Sequence, residues 1–167
     1  MKEEFAKPAV RAIIEREING EKYILMQERQ KENSLNTNGL LELPGGKIRK
    51  YENIFDALKR EVFEETGLTI THSCIPSNSY HNITSGCETI GFLPFCITQN
   101  LNKCYSLIVL TFICQATGDL LTETNESCNI HWKKIDDLKQ QIKEMPQLFF
   151  PLDIISLSKY IQEFFSK

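Results

Sequence analysis

The stretch from Asn53 to Gly67, NIFDALKREVFEETG, limits the fold more than any other segment of the chain. Its apolar residues recur at helical spacing, Asn53 is of a type that caps a helix start, and Gly67 supplies a stop, so a helix is expected over 53–66. At ~100° per residue with Ile54 at zero, Ile54, Leu58, Val62 and Phe55 fall within roughly the first 100° and form a stripe to be buried. Glu64, Glu61 and Glu65 occupy the adjoining arc, from roughly 280° to 20°, so three carboxylates share one face. Glu65 overlaps the edge of the apolar stripe, where a solvated carboxylate has little reason to be. Like charges at i, i+3 and i+4 cost roughly a few tenths of a kcal/mol each on an exposed helix, and more where water is excluded. A cation should compensate. Arg60, beside Glu61 and Glu64, can orient a carboxylate through its fork of donors, and all-oxygen ligands suit Mg2+ or Mn2+. Spacing alone leaves two readings open, a divalent-cation site and a solvated charged face.

Around this helix the sequence reads as mixed α and β. Strands are expected at about Val10 to Glu17, Lys22 to Glu28 and Tyr105 to Ala116, with Asn19-Gly20 as a hairpin turn between the first two. Gln30 to Asn38 reads as a loop, and Leu40 to Leu43 runs into Pro44-Gly45-Gly46, which must end any regular element. Thr71 to Gly86 is polar and carries no clear pattern, whereas Glu88 to Thr98 reads as one strand. Two helices are expected near Ile135 to Lys143 and Leu152 to Phe165, the second with apolar residues throughout. Strands mixed with helices in 167 residues imply one α/β sandwich domain over 1–167 rather than a bundle or barrel.

The formal charge of −3 argues against a broad cationic surface, so a large nucleic acid is not an expected partner, while a free nucleotide needs only a local pocket. The charged start Met1-Lys2-Glu3-Glu4 and the lack of an apolar run near ~18 residues give the expectation of a cytoplasmic protein with no membrane contact. Six cysteines (74, 87, 96, 104, 114 and 128) form no C-x-x-C pair and are expected to be reduced, structural thiols. His72, His81 and His131 share no ligand spacing and read as surface or satisfied polar residues. Phe92 and Phe95 fit a core strand as well as a base-stacking role, and Phe149, Phe150 and the terminal helix fit core or dimer contact.

Gly46, Glu52 and Arg60-Glu61-Val62-Phe63-Glu64-Glu65-Thr66-Gly67-Leu68 match every fixed position of the pattern G-x5-E-x7-R-E-U-x-E-E-x-G-U, with U apolar. The chain thereby resembles the Nudix hydrolase family of MutT-like nucleotide pyrophosphohydrolases, and Leu41-Glu42-Leu43-Pro44-Gly45 is similar to the family as well. The box spans residues 46–68, 23 of the 167. The resemblance implies an α/β/α sandwich with a mixed sheet and a loop-helix-loop catalytic motif. It also implies metal-dependent attack of water at phosphorus in a nucleoside diphosphate-linked compound, with Mg2+ or Mn2+ as cofactor. Metal ligands would be Glu64, Glu65 and the Gly46 carbonyl, with Glu61 either a ligand or the general base. Arg60 would hold a glutamate in place, and Glu52 would brace the motif. Such families often draw a further acid from a loop before a strand near the substrate; Glu126 fits best, with Glu123 as alternative. Arg29, after the second strand, is a candidate for phosphate contact beside a plain solvated strand end.

The substrate expected from this resemblance is a small nucleotide, ordinary or oxidised nucleoside triphosphate first, then a nucleotide sugar or a dinucleotide. ADP-ribose is less favoured because Ile83-Thr84-Ser85 lacks the proline of that subgroup, and the extra motif of the coenzyme A subgroup is missing. RNA-end decapping is disfavoured by the chain's acidity. A non-catalytic nucleotide-sensing module remains the alternative from a different class, although all three box glutamates are present. Homodimerisation is left open.

Overall fold

Asn19 and Gly20 both adopt left-handed backbone, with φ of 54° and 79°, and this turn sets the register of the two longest strands. They are β1 (Lys7–Ile18) and β2 (Glu21–Arg29), paired antiparallel. The computed structural model describes residues 3–30, 37–71, 79–102 and 105–165. The further elements are β3 (Leu41–Glu42), α1 (Ile54–Thr66), β4 (Thr69–Ile70), β5 (Tyr80–Thr84), β6 (Cys87–Gly91), β7 (Cys96–Gln99), β8 (Leu107–Cys114), β9 (Ala116–Thr117), β10 (Ser127–Lys134), α2 (Ile135–Glu144) and α3 (Pro151–Phe165).

The main sheet runs in the order β10-β2-β1-β8-β7, with β3 also on β2, and it is mixed because β1 and β8 are parallel. Alternation along the strands sorts the core into two layers. Val10, Ala12, Ile14 and Leu25 pack with Ile54, Phe55, Leu58 and Val62 of α1. Ile13, Ile24 and Met26 pack with Ile135, Leu138, Leu157, Tyr160 and Ile161 of α2 and α3. The result is the α/β/α sandwich expected from the sequence.

Two strand expectations are corrected. Glu88 to Thr98 is not one strand: β6 pairs with β5 in a separate hairpin, β7 pairs with β8 in the main sheet, and Pro94, which has no N–H to donate, lies between them. The strand expected to reach Ala116 ends at Cys114, and Ala116–Thr117 instead pairs with β4. The unassigned polar stretch contains β5 and the turn Ser85-Gly86, both residues at positive φ. Residues 31–36 of the expected loop, His72, Cys74 and Cys104 lie outside the described residues.

Among the described residues no helix is long and apolar enough to cross a membrane. Phe149 and Phe150 are buried, Phe92 packs edge-on to Phe55, and Phe95 packs against Tyr160, so these aromatics serve the core. His81 pairs with Glu88 and His131 with the Asn129 carbonyl, both at the surface. Cys87, Cys96, Cys114 and Cys128 are free thiols, and burial pushes Cys96 and Cys128 up from the ordinary thiol range.

Candidate active site

α1 begins where the Asn53 side chain accepts the Phe55 N–H at 2.9 Å and ends at Gly67, whose φ of 79° lets its N–H reach the Phe63 carbonyl. Ile54, Phe55, Leu58 and Val62 face the sheet, as the helical wheel requires. The adjoining arc therefore meets the turn Pro44-Gly45-Gly46, which is laced to β1 by Ala12 N–H to the Pro44 carbonyl and Val10 N–H to the Gly46 carbonyl, 2.9 and 2.8 Å.

The three box glutamates divide into two environments. Glu65 is 3% exposed, and its Oε2 accepts both the Gly45 N–H and the Gln27 amide at 2.8 Å. Glu64 is half exposed and Glu61 is largely covered against Gly46, and the two share one guanidinium: Arg60 Nη1 donates to Glu61 at 2.7 Å and to Glu64 at 3.1 Å. The other edge of Arg60 grips Glu52 bidentately at 2.7 and 2.9 Å, and the Arg49 N–H also reaches Glu52 at 2.8 Å. Hydrogen bonding from Arg60 outweighs desolvation at Glu52 and lowers its carboxyl to about 2. The same contact, led by Glu52, raises Arg60 well above the ordinary guanidinium range. A Cβ at position 46 would collide with the Glu61 carboxylate, so a larger residue there would displace that side chain.

Glu126 is exposed on the loop before β10, where its carbonyl accepts the Gln30 N–H at 2.8 Å. Its neighbour Ser127 donates to the Glu65 backbone carbonyl at 3.2 Å, so this loop is stitched to the last turn of α1. Glu123 stands further out, bridged to Cys128. Arg29 is not a solvated strand end. Its guanidinium is turned to the buried Glu42 at 3.1 Å, to Thr37 at 3.1 Å, and over the Phe150 ring. The Gly46 carbonyl, expected as a ligand, is occupied on one side by Val10 N–H, and the Gly46 Cα is what faces Glu61.

Sequence reading missed Gln27, Ser127 and the buried ions Arg11, Glu42 and Asp153. A signal was there for two of them: Arg11 interrupts the run Ala9 to Ile14, and Gln27 ends the run Ile24-Leu25-Met26, each a polar residue at a core position.

A family model described as NUDIX domain matches residues 6–150. The chain belongs to the Nudix family. It resembles a "MutT-like protein" of Streptomyces ambofaciens, 26% identical over 108 residues that make up 65% of this chain and 56% of that one. A 29-residue stretch is 59% identical to an "8-oxo-dGTP diphosphatase" of Buchnera aphidicola, covering 17% of this chain and 23% of the relative. The chain thus spans well under two thirds of either curated relative. In solved structures the fold resembles the MutT protein of Methanosarcina mazei, with a TM-score of 0.68 at 20% identity over 99% of this chain and 100% of that one.

Proposed function

We propose that this Nudix chain hydrolyses a diphosphate linkage in a nucleoside triphosphate, ordinary or oxidised, with divalent metal, Mg2+ or Mn2+, held at Glu61, Glu64 and Glu65. The observation that carries the reading is the Arg60 cluster: Glu61 and Glu64 of α1, and Glu52 just before the helix, are gathered around one cation, with Glu65 on the adjoining arc at the Gly45 turn. The donor chemistry fits a hard divalent ion, since it consists of oxygens alone and already balances a positive charge. Bound there, such an ion supplies counter-charge to phosphate oxygens and makes water a better nucleophile.

The chain's own residues have separable tasks in this reading. Arg60 and Glu52 hold Glu61 and Glu64 on the outer face, and Gln27 with Gly45 fix Glu65 at the turn. In the role of base rather than ligand, Glu61 accepts the proton as the water oxygen bonds to phosphorus; the anhydride P–O bond breaks and its electron pair leaves on the departing phosphate. Glu126 is carried by a loop tied to the end of α1 and is the proposed additional acid. The short similarity to an 8-oxo-dGTP diphosphatase supports an oxidised purine triphosphate ahead of a nucleotide sugar or dinucleotide.

The test is release of orthophosphate and pyrophosphate from nucleoside triphosphates, dinucleotides and nucleotide sugars, with and without Mg2+ or Mn2+. Glu64→Gln should keep its fold, because the side chain is half exposed, and lose roughly 100-fold or more in turnover. Equal activity of the variant at saturating metal would remove Glu64 from its role. The alternative reading is a nucleotide-sensing module that keeps the fold without turnover. Silence across the panel with nucleotide-induced thermal stabilisation would select it.

A further inference from the structure

Gly45 is gripped from both faces of the sheet. Its N–H donates to Glu65 of α1 at 2.8 Å, while its carbonyl accepts from Arg11 Nη1 of β1 at 2.5 Å. Arg11 is almost fully buried and is itself held by Glu42 at 2.7 Å and by Asp153, at the start of α3, at 3.5 Å. Asp153 reaches the same turn directly, accepting the Leu43 N–H at 2.9 Å. Three positions leading into the turn and within it, 42, 43 and 45, are therefore fixed by one ion cluster on the side opposite α1. A side chain at 45 would strike the β1 backbone, so the turn has no room to shift inward.

We infer that Arg11 and Asp153 are positioning residues of the active site, acting through the Gly45 peptide to hold Glu65 in register. The inference rests on the proposed role of Glu65. An ion cluster meant only to stabilise the sandwich needs no bond to the turn, and a stable sheet needs no buried guanidinium in the middle of Ala9 to Ile14. Orientation within a fraction of an ångström matters to a reacting centre, where small misplacements cost orders of magnitude in rate. The carbonyl and N–H of one glycine are the link between cluster and carboxylate.

The experiment uses the full chain carrying Arg11→Lys, which keeps the charge but loses the fork, and Asp153→Asn, which keeps an acceptor for Leu43. Amide hydrogen exchange, Mn2+ affinity by calorimetry, and kcat and KM are measured for each, alone and with Glu65→Gln. The expected result is selective acceleration of Gly45 exchange, with Mn2+ affinity and kcat lowered roughly 10-fold and KM within about 2-fold. These losses should shrink to less than about 2-fold when Glu65 is already Gln, because coupled residues are non-additive. Uniform acceleration of all amides, or equal losses in both backgrounds, would overturn the inference in favour of plain stability. A wild-type chain that binds Mn2+ but cleaves nothing would refute the hydrolase reading and leave the exchange and affinity arms to judge the clamp. If wild type binds no Mn2+, the selective Gly45 response alone decides whether the clamp exists, and a clamp that moves neither affinity nor rate is not a positioning device.

Discussion

Two arginines in this molecule each gather carboxylates, and they do so under opposite conditions. Arg11, with Glu42 and Asp153, is sealed between the sheet and α3; Arg60, with Glu52, Glu61 and Glu64, stands at the rim of α1. Burial works against the charge of Arg11, but Glu42, Asp153 and Glu65 together hold its guanidinium above its ordinary range. The sealed cluster cannot exchange a partner without leaving an ion unpaired in a dry interior, so its geometry is fixed. The rim cluster can, because Glu64 is half exposed to solvent. Chemistry of this kind, a guanidinium among carboxylates in each case, becomes scaffold or site according to its access to solvent.

Removing each arginine should expose that difference most sharply. Arg11→Met leaves Glu42 and Asp153 charged and buried, and should cost about 3–5 kcal/mol in urea unfolding. Arg60→Met should cost less, about 1–2 kcal/mol, since Glu64 is half exposed and Glu52 keeps the Arg49 N–H, while metal-dependent turnover collapses. Equal stability losses would dissolve the contrast. The helix that separates the clusters can be tested in the same way. Val62→Asp drives a carboxylate into the α1 stripe and should cost about 3 kcal/mol, whereas Phe63→Asp, one residue on and more than half exposed, should stay within about 0.5 kcal/mol. A Val62→Asp chain with unchanged thermal stability would mean the stripe is not core.

Acid should move the two clusters in opposite directions. Glu52 is held at about 2, below its ordinary 4.5, so the stability it contributes is complete above pH 4.5 and is lost as pH falls toward 2. Desolvation by burial pushes Asp153 up from 3.8 to about 6 against the pull of Arg11. The folded state then binds its proton first, so this group's penalty is full above pH 6 and is relieved as pH falls from 6 toward 3.8. Unfolding midpoints against pH should accordingly lose their fall below 4.5 in Glu52→Gln and their rise below 6 in Asp153→Asn. The same slope change in both variants would show that the clusters are not electrostatically distinct.

The rim cluster was legible in the sequence because it is local. Arg60, Glu61 and Glu64 lie within two helical turns, and Glu52 lies eight residues before Arg60, so a wheel and a spacing pattern recover them. The wheel even marked Glu65 as lying on the stripe, and the structure buries it. The sealed cluster was not legible, since Arg11, Glu42 and Asp153 come from β1, β3 and α3 and meet only through sheet order. Arg29 shows the same limit: its place at a strand end suggested solvent, but β3 brings Glu42 beside it. The break at Pro94 failed for a different reason. Alternating polarity runs through it undisturbed, and only strand pairing reveals that its two halves belong to different sheets.

The smallest expected effect concerns what the rim cluster stands on. Arg11 and Asp153 sit in a regular strand and a helix, but Glu52 follows Tyr51, a bulky residue at φ 65° that is 93% exposed. The turn is closed by Glu52 N–H to the Arg49 carbonyl at 3.1 Å, and the Tyr51 ring gains only the Lys50 ammonium, 4.9 Å from its centre. Left-handed backbone costs a side-chain-bearing residue about 1 kcal/mol that glycine does not incur. Tyr51→Gly should therefore be more stable than Tyr51→Ala by about 1 kcal/mol, a reversal of the order seen at ordinary positions. If alanine proves the more stable, the turn relaxes when the ring is removed. The rim would then be as unstrained as the sealed cluster, and the pose of Glu52 would come from Arg60 alone.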